Sequence, residues 1–311
     1  RRQAAQGTGH PHRGRAEGLS MTSAAREHRL STPDGEICWF EWGEPTDRPS
    51  VLLLHATGFH ARLWDQVVAA LPAGTHVVAP DSRGHGRSAK PDSLSDWVAT
   101  TDFLLPLIDR FAGTMFVGCG HSMGGYLLTR LAAERPQAFR HLILVDPVIM
   151  PPEFYAEAVG QPVPDPAEHP VARRRTRWDG WEAMAAHFAT RPPYAHWRAE
   201  ALADYCRFGL LPAADGEGWE LACPPALEAS VYLNALRTDP YRWFGGISAP
   251  ISVIRAKTGE RAGTLDFSVS PTWPGLGASL GAVRDEHWAE LSHFIPMEAP
   301  ERLAELIASE L

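Results

Sequence analysis

The chain has 311 residues, 44% of them hydrophobic and 21% charged, with 29 Lys and Arg against 37 Asp and Glu, a net charge of −8 with histidine neutral. Ordinary apolar content with modest charge excludes a wholly disordered or fibrous protein. The acidic balance argues against a nucleic-acid partner, which needs a basic face for its phosphates. No apolar run approaches the ~18–20 residues that span a bilayer, so no membrane partner is expected.

At ~150 residues per domain the length suggests two units, or one large α/β domain with an insertion. Residues 1–20 are rich in Arg, Gly and Gln without apolar periodicity, and Met21 opens a more ordinary sequence. They read as a disordered tail rather than a secretory signal, since an apolar h-region is missing. His10 and His12 within it are read as solvated, not as a metal pair. Cys38, Cys119, Cys206 and Cys223 show no Cys-x-x-Cys spacing, which fits reduced thiols and a cytoplasmic location.

Strand and helix patterns then alternate. Glu36–Trp42 alternates in polarity like a half-buried strand, and Ser50–Leu54 is a continuous apolar run like a central one. Trp64, Val67, Val68 and Leu71 share a helical face ahead of Pro72 and Gly74. Thr75–Pro80 reads as a strand, followed by the loop Asp81–Ser88 (DSRGHGRS). Trp97, Leu104, Ile108 and Phe111 predict a second helix. A strand at Thr114–Gly118 runs into Gly120–Gly125 (GHSMGG), and a third helix carries Leu127, Leu128 and Leu131. His141–Asp146 is strand-like. This repetition predicts a mostly parallel sheet with helices on both faces.

At Pro147 the rhythm breaks. From about Met150 to Pro225 the chain is rich in Pro and Trp with no clear strand, which predicts a helical insertion. The core pattern resumes at Pro250–Lys257, continues with a strand near Gly281–His287, and closes with a helix over Pro300–Leu311.

Gly120-His121-Ser122-Met123-Gly124 is a Gly-x-Ser-x-Gly string. As a string it is weak. Its context carries more weight, because an apolar strand precedes it and an Ala/Leu-rich helix follows, as a nucleophile elbow requires. The turn would lift the Ser122 hydroxyl clear of the sheet beside the positive end of the helix; the alternative is a capping serine at a glycine-rich helix start. His55-Ala56-Thr57-Gly58-Phe59 follows a buried strand, and Ser292-His293-Phe294 lies just before the last helix. His55, His76, His121 and His141 are expected to be structural. His293 stands where the chain order serine, acid, histidine needs its histidine.

With these four segments the sequence resembles the α/β-hydrolase superfamily, in its cap-bearing branch of serine esterases, lactonases and epoxide-hydrolase-like proteins. The likeness covers roughly residues 30–311, carried by 55–59, 81–88, 120–125 and 292–301. It implies a twisted, mostly parallel eight-stranded sheet with a helical cap after the sixth strand. The expected domains are core at 25–148, cap at 149–230 and core again at 231–311. It also implies Ser122 as nucleophile, His293 as general base, and the amides of Thr57 and Met123 as the oxyanion hole. One position departs from the family's pattern: Ala56 stands where the loop usually has glycine, which would restrict the φ and ψ of that turn.

Two sites compete for the acid. Asp146 ends the strand before Pro147, and Glu260 falls in the loop after Pro250–Lys257, with Asp266 slightly beyond. Asp146 is favoured, because an aspartate fixed at a strand end holds an imidazole better than a glutamate in a Gly-flanked loop. Its alternative role is to cap the turn into Pro147.

A serine nucleophile points to acyl chemistry on a small hydrophobic ester or lactone, with no cofactor and no metal. A carbon–carbon bond hydrolase or perhydrolase would share Ser122 and His293, and a slow-turnover small-molecule receptor is the reading from another class. Trp178, Trp181, Trp197 and Trp219, with Phe154, Tyr155, Phe188 and Tyr194, would either line an apolar pocket or form the lid's own core. Arg173, Arg174, Arg175 and Arg177 are expected on a solvated helix face, the alternative being that they meet an anionic substrate.

Overall fold

The computed structural model describes residues 24–260, 262–263 and 266–311; the predicted tail with His10 and His12 lies outside them. Strand β1 (Arg26–Thr32) turns tightly into β2 (Gly35–Trp42), with Thr32 paired to Gly35. Strands β3 (Ser50–Leu54), β4 (Val77–Pro80), β5 (Phe116–His121) and β6 (Phe139–Val145) follow. After a long excursion containing the short strands β7 (Arg177–Trp178), β8 (Leu210–Pro212) and β9 (Trp219–Leu221), β10 (Ile251–Ala256) and β11 (Arg284–Trp288) complete the set.

Among the described residues the main sheet has the eight strands expected, in the order β1-β2-β4-β3-β5-β6-β10-β11. The β1–β2 and β2–β4 pairs are antiparallel and the others parallel. Parallel strands need helical crossovers, and those helices bury both faces of the sheet. The chain is an α/β protein of the α/β-hydrolase fold.

The helices are α1 (Asp65–Ala70), α2 (Trp97–Asp102), α3 (Leu105–Arg110) and α4 (Met123–Glu134) in the first half. The excursion holds α5 (Pro152–Ala158), α6 (Trp181–Phe188), α7 (Ala199–Phe208) and α8 (Pro225–Leu233). Short α9 (Tyr241–Phe244), α10 (Leu276–Ser279) and α11 (Ile295–Glu298) precede α12 (Pro300–Ala308). One apolar cluster packs α2, α3 and α4 against one face of the sheet, with Trp97, Leu107, Tyr126 and Leu131 buried. A second packs α1 and α12 against the other, through Val67, Val68, Leu303 and Ile307. Each such side chain contributes ~1.5–3 kcal/mol when fully buried.

Two local expectations are corrected and one unread strand is added. The single helix expected through Trp97 and Phe111 is two, because Pro106 in the first turn of α3 lacks the N–H that would continue α2. Strand β1 has no apolar alternation to reveal it; Arg26, Glu27, His28 and Arg29 lie on an edge and are held by pairing to β2. The excursion, read as strandless, contains the antiparallel sheet β7-β9-β8, whose strands of two or three residues are too short to show a period.

The excursion's helices α6 and α7 bury Trp178, Met184, Trp197 and Tyr205 together with Phe59 and Phe294 from the core. They therefore sit on the edge of the sheet from which the loops after β3, β5 and β6 emerge. Ligands bind at that carboxyl edge in open α/β sheets.

Candidate active site

The tight corner at Ser122 follows from two close approaches. A Cβ on Gly120 would lie 2.3 Å from the carbonyl oxygen of Gly124, and one on Gly124 would lie 2.1 Å from that of Leu54. Both obstacles are backbone, so neither can move aside. Between these glycines Ser122 takes φ 57° and ψ −117° and caps α4 without a side-chain hydrogen bond to the helix. Its hydroxyl is thus free of the capping role, and it stands at the positive end of the helix.

That hydroxyl donates to Nε2 of His293 at 3.0 Å, and Nδ1 of His293 donates to Oδ2 of Asp146 at 2.7 Å. All three side chains are buried. The Asp146 carboxylate also receives the amide of Ala256 at 2.9 Å and the hydroxyls of Ser270 and Thr272. A carboxylate can accept only, so it fixes the proton of His293 on Nδ1 and leaves Nε2 as acceptor toward serine. Glu260, the competing acid, is exposed in its loop. Asp266 turns to its own loop, accepting from the amides of Ala262 and Ser268. The structure thus brings Ser122, His293 and Asp146 together, and the two ring nitrogens of His293 are taken by Ser122 and Asp146 rather than by Glu260 or Asp266.

The imidazole is held on several sides. Phe267 stacks on it at 5.3 Å between ring centroids, and the His121 ring lies 4.9 Å away. His121 Nε2 donates to the His293 carbonyl at 2.7 Å, so that nitrogen carries the proton. Burial holds His121 well below the usual histidine range and keeps it neutral.

The loop 55–59 is fixed from beneath. His55 Nδ1 donates to the Ala56 carbonyl at 2.8 Å and its Nε2 accepts the Ser82 amide at 2.9 Å. Asp81, wholly buried, accepts the amides of Ala61 and Arg87, each at 2.7 Å. The motif at 81–88 therefore acts as a brace for the loop. Ala56 does not carry the positive φ of the turn, which falls on Gly58 at 78°. Neither the Thr57 nor the Met123 amide donates to an acceptor among the described residues. Met123, as the first residue of α4, belongs to the turn whose N–H groups have no intrahelical partner.

Over Ser122 lies a cavity of about 170 Å³. Its apolar wall is Ala56, Phe59, Val171, Pro193, Phe267 and Phe294; its polar wall is Thr57, Arg174, Tyr194, Glu228 and Tyr232. A roomier cleft of about 370 Å³ at the opposite ends of β5 and β6, around Phe111 and Met115, is lined by neither Ser122 nor His293. Of the aromatic residues singled out in the sequence, Tyr194 reaches the cavity. Trp178, Trp197 and Phe188 belong to the packed cluster beneath α6 and α7, while Trp219 and Phe154 are exposed.

Arg174 corrects the expectation of a solvated arginine run. Residues Pro170–Arg173 form a single 3-10 turn and the chain then extends into β7, so the four arginines share no helix face. Arg177 pairs with Asp215 and Glu220 at the surface, and Arg175 stacks on Trp178. Arg174 turns inward. It donates to Glu228 at 2.6 Å and to the Tyr205 hydroxyl at 2.6 Å. Burial pushes the Glu228 carboxyl above its ordinary range, against the pull of Arg174.

Comparison with known proteins agrees with this architecture. Residues 51–306 match the family described as the alpha/beta hydrolase family. The chain belongs to that family and is a hydrolase of the α/β type. It is 28% identical to Lipase LipV of Mycobacterium tuberculosis over 211 residues, 63% of this chain and 77% of the lipase. It is 37% identical to Esterase Rv0045c of the same organism over 114 residues, 36% of this chain and 37% of the esterase. A solved structure of E-2-(acetamidomethylene)succinate hydrolase superposes with a TM-score of 0.70 at 20% identity, over 92% of this chain and 98% of that one. At that identity the likeness speaks to fold alone.

Proposed function

We propose that this protein is a serine hydrolase that cleaves a small carboxylic ester or lactone through an acyl-enzyme on Ser122. The observation that carries the reading is His293, with one ring nitrogen 3.0 Å from the Ser122 hydroxyl and the other 2.7 Å from Asp146. Its esterase and lipase relatives support the same class of bond. In this reading His293 takes the serine proton as Oγ attacks the carbonyl carbon. The carbonyl oxygen becomes an oxyanion received by the Thr57 and Met123 amides, whose freedom from other acceptors suits them to it. The imidazolium, stabilised by Asp146, protonates the departing alkoxide. Water, deprotonated by the same imidazole, then attacks the acyl carbon and releases the acid.

Residues 149–230 serve as a cap over the site, with α8 bridging them to the core: the Val231 carbonyl accepts from Trp97 and the Asn234 side chain donates to the Leu94 carbonyl. The apolar wall of the cavity suits the hydrocarbon part of a substrate. The four cysteines are free and buried, which supports a reducing compartment such as the cytoplasm. Among the described residues no helix is long and apolar enough to cross a membrane.

The test is a panel of short esters, lactones and diketones against wild type and Ser122→Ala. Multiple turnover on an ester or lactone, reduced by on the order of 10³ or more in the variant, supports the proposal. Turnover confined to carbon–carbon bond cleavage would replace it with the runner-up on the same scaffold. A single acylation without recycling would point to a receptor.

A further inference from the structure

The cavity over Ser122 contains one ion pair. Arg174 and Glu228 are joined at 2.6 Å, and both line the space that Ser122 and His293 face. A buried ion pair rarely repays its desolvation; well-packed apolar residues of similar volume are often as stable or more so. Stability alone gives little reason to keep such a pair beside a nucleophile. Its location gives another.

We infer that Arg174 and Glu228 form a specificity-determining subsite, selecting an acyl group that ends in a neutral unit with both a hydrogen-bond donor and an acceptor, of which a primary carboxamide is the simplest. This rests on the acyl-transfer reading above. Three features carry it.

The pair offers complementary halves side by side. The guanidinium has five N–H donors and no acceptor, and it donates to Glu228 and the Tyr205 hydroxyl. The Arg174 side chain keeps 22% of its exposure although it is set deep in the protein, and it faces the cavity. The carboxylate of Glu228, 5% exposed, offers only acceptors, and one of its oxygens lies against Gly58, next to Thr57 in the oxyanion loop. A guest group with one acceptor and one donor satisfies both.

The charges cancel within the pair, so the subsite carries no net charge. An anionic acyl terminus would put two carboxylates on one guanidinium, and like charges that close disfavour one another's ionised forms. That sets a carboxylate-ended substrate behind a carboxamide-ended one.

The space is small. About 170 Å³ is below the ~300–1,000 Å³ of pockets for drug-sized ligands. The acyl group must fit it, because it stays covalently on Ser122 after the alcohol has left. A short chain with a polar end fills it, whereas a longer one would have to run on past Pro193 and Phe267 into the wider neighbouring cleft.

The test uses three methyl esters of equal heavy-atom count: methyl succinamate, methyl 4-methylpentanoate and monomethyl succinate. They end in a carboxamide, an isopropyl group and a carboxylate. Wild type is expected to show kcat/KM at least ~10-fold higher for the carboxamide than for either of the others, since a site built to hydrogen-bond a substrate group penalises the analogue lacking it. Arg174→Met and Glu228→Gln are each expected to bring the carboxamide-to-isopropyl ratio toward one. Glu228→Gln, which removes the competing negative charge, is also expected to raise the rate on the carboxylate relative to the isopropyl ester. Equal wild-type rates on carboxamide and isopropyl esters overturn the inference while leaving the acyl-transfer reading intact, and so does a wild-type preference for the carboxylate. Failure to hydrolyse any ester or lactone of any size overturns the reading itself. The wild-type comparison decides the matter even if a variant does not fold.

Discussion

Ser122 and Asp146 are the two non-glycine residues of the described chain with positive φ, 57° and 43° respectively. They stand at the carboxyl ends of neighbouring strands, and each is tied to the next strand across. The Ser122 amide donates to the Val145 carbonyl at 3.0 Å, and the Asp146 amide to the Ile254 carbonyl at 2.7 Å. Sparsely populated backbone of this kind costs ~1–3 kcal/mol per residue and persists where its surroundings over-determine it. Here it aims the serine hydroxyl and the carboxylate at opposite nitrogens of one imidazole.

Strain at Ser122 gives a stability prediction that does not depend on activity. Ser122→Gly relieves the positive φ, while Ser122→Ala keeps it; both remove the hydroxyl. Glycine loses ~0.4–1 kcal/mol through its freer unfolded chain. The glycine variant is nevertheless expected to be the more stable by about 1 kcal/mol, measured by denaturant unfolding of the pair. An alanine variant as stable as the glycine one would show that the corner is not strained.

Much of the site was legible because its parts are local. The glycines around Ser122 advertise a corner that only small residues allow, and His293 precedes the final helix where the chain order requires it. The choice between Asp146 and Glu260 was less visible, since both follow strands and nothing in one dimension says which carboxylate meets the ring. Asp146 meets it because β6 and β10 are neighbours, so the carboxylate also collects the Ala256 amide from the end of β10. Arg174 was misread for a related reason. In a helix its neighbours would have shown which way it pointed, but a 3-10 turn running into an extended chain has no lasting face. Three arginines of the four found surface positions, and the sequence does not distinguish the fourth.

The acid assignment is tested by two amide substitutions. Asp146→Asn removes the charge that stabilises the imidazolium and the acceptor that selects its tautomer, and kcat is expected to fall by about 10³–10⁴. Glu260→Gln, at an exposed loop position, is expected to leave kcat within about twofold. Steady-state kinetics on any turned-over ester decides it. The reverse pattern would mean that the loop closes on His293 in the working enzyme and that Asp146 is a structural cap.

The corner also predicts intolerance of a single methyl group. Gly124→Ala and Gly120→Ala each place Cβ within 2.1–2.3 Å of a backbone carbonyl oxygen. Relief requires moving α4 off the sheet, so a loss above ~4 kcal/mol is expected, the range of severe core overpacking and strain. Soluble yield and thermal unfolding measure it. If either variant folds with its Tm within a few degrees of wild type, the strand-to-helix approach is looser than described.

Four buried histidines predict how the fold responds to acid. Loss of hydration pushes His60 and His85 down to about 3, and it lowers His55 and His121 as well. In the unfolded chain these rings take up protons near pH 6.5, so below that pH the unfolded state binds more protons than the native one. Stability is therefore full above about pH 6.5 and falls as pH drops, by up to ~1.4 kcal/mol per pH unit for each of His60 and His85 down to about 3, with His55 and His121 adding in the same direction. Asp204 works in the opposite sense. Burial raises its carboxyl to about 6, so the native state holds a proton there that the unfolded chain has lost above its ordinary range near 4. The buried carboxyls of Asp65 and Glu228 are raised in the same sense and oppose the histidines as well. The histidines begin to take up protons in the unfolded chain before the raised carboxyls oppose them, so against a typical reserve of ~5–15 kcal/mol the first loss of stability is expected below about pH 6.5. Thermal unfolding followed from pH 8 to pH 4 should show a flat Tm above neutrality and a steep decline below pH 6, shallower in His60→Gln. A Tm unchanged between pH 7 and pH 5 would mean that the histidines are protonated in the native fold and that their burial does not hold them neutral.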